Sequence, residues 1–126
     1  MNNENSDRRK KALDLLELLE SGAPARVSQN IDEFHPEALE ILLGFAFHDV
    51  VSRDGIELRT REMLTVAMLA AMGTAQSQLE FHMRAALNTG VCREELVEIV
   101  LQVSVYAGIP AAMNAMTAAK SALRSC

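Results

Sequence analysis

The sequence predicts an all-α fold, a single domain of about six helices, and three observations carry this. The chain is 49% hydrophobic but only 4% aromatic, with no Trp, so its apolar content comes mainly from helix-forming Ala, Leu and Met. Apolar residues recur at helical spacing in one segment after another. No β-type alternation of useful length interrupts them.

The first helix is expected from Ser6 or Asp7 to about Glu20, with Ala12, Leu15, Leu16 and Leu19 on one face and Gly22 as a stop. The stretch from Ser21 to Glu33 holds Gly22, Pro24, Ser28 and Asn30 and reads as a connector. His35 leads into a second helix, in which Pro36 takes the first position and Glu37 to Val50 follow. Ser52-Arg53-Asp54-Gly55 has turn chemistry. Thr60 is placed to cap a third helix, Arg61 to Met72, which Gly73 ends. A fourth covers Ala75 to Asn88 and closes at Thr89-Gly90. Arg93 to Ala107 makes a fifth, stopped by Gly108, and Pro110 opens the last, to about Leu123.

Two of these helices carry more apolar surface than one core face needs. In the fifth, Leu96, Ile99, Val100, Val103 and Ala107 form the core stripe, while Leu101 and Val105 point the opposite way. In the fourth, Leu79, Met83, Ala86 and Leu87 form the stripe and Phe81 faces away. Two-sided helices in a small domain are expected to bury the second side in a homo-oligomer.

A net charge of −5 and a pI of 5.1 argue against a nucleic-acid partner. The basic run Arg8-Arg9-Lys10-Lys11 lies beside Glu4, Asp7 and Asp14 and reads as a solvated helix end. Cys92 and Cys126 match no metal or redox spacing, which points to a reducing cytoplasm. The N-terminus is polar, without an apolar stretch of signal-peptide type. The longest nearly apolar run, Met63 to Met72, is about half of what a membrane span needs, so no membrane partner is expected.

His82 is the first candidate for chemistry. It flanks the buried stripe of the fourth helix, and histidine exchanges a proton near neutral pH. A half-buried structural histidine bonded to a carbonyl fits the same position. Glu62 stands in the first turn of an almost wholly apolar helix, where the helix dipole alone suits a carboxylate. Arg53, Arg59 and Arg61 crowd the same stretch, and arginine forks suit a carboxylate substrate. Tyr106, Pro110 and Asn114 follow in steps of four and place a phenol and an amide at one site, or else form a tight helix corner. No nucleophilic triad, phosphate loop or metal-ligand spacing is present.

The blocks Ser52-Arg53-Asp54-Gly55-Ile56, Leu58 through Glu62, Ala70-Ala71-Met72-Gly73 and Phe81 through Gly90 resemble the carboxymuconolactone decarboxylase family. Arg93-Glu94-Glu95, Val105 through Ala112 and Asn114-Ala115 continue the likeness, over roughly residues 35 to 120. It divides the chain into an N-terminal helix and connector, 1–34, and a family-like core, 35–126, within one domain. The resemblance implies an alkylhydroperoxidase-like helical fold assembled as a trimer or hexamer. Related disulfide reductases carry a Cys-x-x-Cys pair between the Glu and the His, whereas residues 73–79 here contain no thiol. Peroxidatic chemistry needs that pair. His48 stands where such decarboxylases commonly have a small residue, usually Gly, so a reshaped pocket is expected.

The resemblance implies cofactor-independent decarboxylation of 4-carboxymuconolactone, or a close lactone acid, to the 3-oxoadipate enol-lactone of protocatechuate catabolism; the alternatives are a related proton-transfer or ring-tailoring step on another lactone, a thiol oxidoreductase, or a non-catalytic protein that binds small acids. The lactone ring is its own electron sink, so neither a metal nor an organic cofactor is called for. His82 and Glu62 are the expected catalytic pair, and Arg53, Tyr106 and Asn114 the expected substrate-binding residues.

Overall fold

The structure, a computed structural model, describes residues 3–124. Every regular element among the described residues is a helix, as expected, but there are seven rather than about six. None is long and apolar enough to cross a membrane. The chain divides after Ile56 into two compact units.

In the N-terminal unit, α1 (Asn3–Leu19) buries Ala12, Leu15, Leu16 and Leu19, the face its spacing predicts. The expected connector is instead a helix, α2 (Ala23–Phe34). Gly22 adopts φ 84° as its N-cap, a left-handed conformation that glycine takes without strain. Pro24 follows in the first turn, where its missing N–H costs no bond. Residues that look like breaks are therefore start signals. The next helix also departs from expectation: Glu40–Val51 is a π-helix, with the wider i→i+5 turn, rather than an α-helix from Glu37. Its apolar residues run almost all round, so no 3.6-residue stripe dictates the α-helical turn. Gly44 is buried within it, and a Cβ there would lie 3.2 Å from the Arg8 guanidinium. The bare glycine lets Arg8 cross over from α1 to pair with Asp49 at 2.8 Å.

The second unit consists of α3 (Leu58–Met72), α4 (Gln76–Asn88), α5 (Arg93–Ala107) and α6 (Ile109–Arg124). α3 starts earlier than expected, at Leu58, so Thr60 lies inside its first turn. The N-cap is Glu57, which makes no side-chain cap bond. The helix ends, as expected, at Gly73, with φ 73°. α4 packs on α3 and α6, and α5 on α3 and α6. Val66, Leu79, Met83, Leu96 and Val100 fill the space they share. The buried face of α6 is alanine throughout: Ala112, Ala115, Ala118 and Ala122. Val105 and Leu101 on α5 remain 66% and 55% exposed, on the outward side that their period predicts. Ala107, expected in the core stripe, is exposed at the last position of α5.

Candidate active site

Glu62 lies on α3 and His82 on α4, 20 residues apart in sequence, and helix packing brings them into contact. Glu62 Oε2 is 2.8 Å from His82 Nδ1, with the carboxylate 1% and the imidazole 12% exposed. A carboxylate withdrawn this far from water is costly without a hydrogen-bonding partner, and Nδ1 supplies one. The bond also fixes the orientation of the ring. The Phe81 ring meets the imidazole edge to face at 5.0 Å between centroids, and the Arg84 guanidinium carbon lies 6.0 Å from the Phe81 centroid.

α4 is held against α6 by polar ties. Glu80 accepts from Ser121 Oγ at 2.7 Å and from Arg84 at 3.3 Å, while the Gln76 amide donates to the Asn114 carbonyl at 2.8 Å. The imidazole is therefore carried on a helix braced by side chains as well as by its core.

The arginines take different parts. Arg59 donates to the Gly90 carbonyl at 3.2 Å and to both Glu95 carboxylate oxygens. Arg59 thus pins the start of α3 to the turn before α5. Glu95 in turn accepts from the Cys92 backbone N–H at 3.0 Å, closing a capping box in which the Cys92 sulfur accepts from the third-position N–H. That backbone bond first, and Arg59 second, hold the Glu95 carboxyl at about 2, against an ordinary 4.5. Arg61, half-buried on α3 beside Glu62, has its Nε buried with no hydrogen-bond partner among the described residues.

The expected substrate-binding residues lie on other elements. Arg53 is exposed in the N-terminal unit, just beyond the π-helix, where its backbone N–H donates to Val50 O at 3.1 Å. His48 is half-buried on the π-helix, and its carbonyl accepts from Ser52 Oγ. Tyr106 is 90% exposed near the end of α5, and Asn114 is exposed on α6. Neither is hydrogen-bonded to Glu62 or His82 among the described contacts. Cys92 is exposed, and Cys126 lies outside the described residues. A groove of about 210 Å³ between α5 and α6 is lined by Leu96, Val100 and Met116 together with Arg93 and Lys120. It does not include the Glu62–His82 pair. The sequence groups the three arginines and carries no signal that Glu95 pairs with Arg59 while Arg61 Nε lacks an acceptor among the described residues.

The profile described as "Carboxymuconolactone decarboxylase family" matches residues 36–121, which include both Glu62 and His82. A 4-carboxymuconolactone decarboxylase of Acinetobacter baylyi is 36% identical over 99 residues, 79% of this chain and 73% of that protein. A nitrosuccinic acid decarboxylase of Metarhizium robertsii is 32% identical over 88 residues, 70% of this chain and 61% of that one. An uncharacterized 15.0 kDa protein of Paracoccus denitrificans is 33% identical over 86 residues, 68% and 61% of the two chains.

Proposed function

The chain belongs to the carboxymuconolactone decarboxylase family, and from that premise we propose that it decarboxylates 4-carboxymuconolactone or a close lactone acid, with His82 as the proton donor. The observation that carries the reading is the buried hydrogen bond between Glu62 and His82. In this substrate one ring carbon bears both the leaving carboxylate and a carboxymethyl arm. As its C–C bond breaks, the electron pair moves through the ring double bond into the lactone carbonyl, giving a dienolate and carbon dioxide. His82 Nε2–H then delivers a proton to the carbon next to that carbonyl, yielding the enol-lactone. Glu62, bonded at Nδ1, orients the ring. Acid–base help of this kind contributes about 10²–10⁴-fold in rate.

The relative named for nitrosuccinic acid favours a second reading of the same site, in which a nitro group is the electron sink. That acid, too, has a carbon bearing the sink, a carboxylate and a carboxymethyl arm. The two readings share one demand: a dicarboxylate that loses one carboxyl group and keeps the other. The same family reading supports a homo-oligomer that covers the outward residues Leu101 and Val105.

The test is loss of the lactone's ultraviolet absorbance with purified protein and no additive. Turnover of the lactone supports the first reading and turnover of nitrosuccinate alone the second. Consumption of neither, or activity that appears only with a peroxide and a dithiol, defeats both.

A further inference from the structure

We infer that Arg61 is the residue that grips the substrate's carboxymethyl carboxylate, the one that stays behind. The inference rests on the decarboxylase reading for the identity of the ligand, but its evidence is separate. Arg61 Nε is buried, yet no described residue accepts its hydrogen. Buried donors in native proteins are almost always satisfied, so an orphan on a guanidinium marks a place for an acceptor from outside the chain. Three acidic groups of this unit are already engaged. Arg59 has taken Glu95, Arg84 holds Glu80, and Glu62 is bonded to His82.

Position agrees with this. Arg61 directly precedes Glu62 on α3, about 3.8 Å away along the backbone. A ligand reaching the imidazole therefore lies within the span of a flexible arginine side chain. A carboxylate is the acceptor that a guanidinium fork matches with two parallel hydrogen bonds.

Which carboxylate it holds follows from the reaction. The leaving carboxylate loses its charge as carbon dioxide forms. An arginine bound to that group would favour the ground state over the transition state and slow the step. The carboxymethyl carboxylate keeps its charge throughout, so holding it anchors the substrate without raising the barrier.

The probe is the unsaturated lactone that keeps the carboxymethyl arm but carries hydrogen where the leaving carboxylate stood. It cannot decarboxylate, so its binding reads the arm alone. Arg61→Gln should weaken its binding, read as Ki or by calorimetry, at least about tenfold. KM for the full substrate should rise alongside, with kcat nearly unchanged, and Arg61→Lys should recover part of the loss. Wild-type protein offers a check that needs no variant: the methyl ester of the arm should bind at least about tenfold more weakly than the free acid. An ester that binds as well as the acid overturns the inference, as does a folded Arg61→Gln with unchanged affinity. Loss of assembly with unchanged affinity assigns Arg61 to a subunit contact and overturns it as well. If wild-type protein turns over neither the lactone nor nitrosuccinate but binds the probe through Arg61, the decarboxylase reading falls and Arg61 still holds the carboxylate arm. If it neither binds nor reacts, both fall.

Discussion

Among the described residues, Glu62 is the charged side chain most completely withdrawn from water, and its role depends on His82. His82→Ala should lower kcat by about 10²-fold or more in steady-state kinetics, with KM changing much less. The same variant strands a buried carboxylate, which costs about 3–5 kcal/mol of stability. His82→Gln, which can still hydrogen-bond Glu62, should recover most of that stability in denaturant unfolding but not the rate. Glu62→Gln keeps an acceptor oxygen near Nδ1 and removes only the charge, so its loss of kcat should be smaller than that of His82→Ala. Cys92→Ser should fold and keep its activity within about threefold, because serine is itself a strong N-cap. A loss above about tenfold, roughly 1.4 kcal/mol of barrier, would bring thiol chemistry back into consideration.

At the scale of the element, the start of α5 is where pH acts on stability. Glu95 is held at about 2 by the Cys92 N–H and then by Arg59, so folding favours its ionised form. That contribution is complete above the ordinary value of 4.5 and disappears as pH falls through about 2. Glu95→Gln should therefore lower the urea midpoint at neutral pH and flatten its fall between about pH 5 and 2. The helices themselves were largely legible from their stop signals: Gly73 and Thr89-Gly90 end α3 and α4 where composition places the breaks. The failures have local causes. Gly22 and Pro24 serve equally well to break a chain or to open a helix, and only packing decides between them. In Glu40–Val51 the apolar residues surround the axis, so periodicity carries no information about the turn. The Glu62–His82 pair was legible only in part, since local patterns mark each residue as a candidate but α3–α4 packing makes the bond. The unpartnered Nε of Arg61 left no local trace, because burial and pairing are set by tertiary packing.

For the whole molecule, exposed apolar residues recur every fourth position along two helices of the second unit. They are Leu64, Met68 and Met72 on α3 and Val97, Leu101 and Val105 on α5. If further copies of the chain cover them, light scattering should return about three or six times the 13.8 kDa of one chain, and Leu101→Glu should shift the mass toward that single-chain value. A wild-type mass of one chain would defeat the oligomer. The alanine face of α6 leads elsewhere. Ala112, Ala115, Ala118 and Ala122 surrender no rotamer freedom when they are buried, so this helix docks without the side-chain entropy loss that a leucine face would incur. The spacing to its neighbours is then set by backbone against methyl group, leaving no slack for a longer side chain. Ala115→Leu should cost about 1–3 kcal/mol. A saturation scan should find these four positions open to serine or glycine and closed to nearly everything larger, a size filter written along one helix.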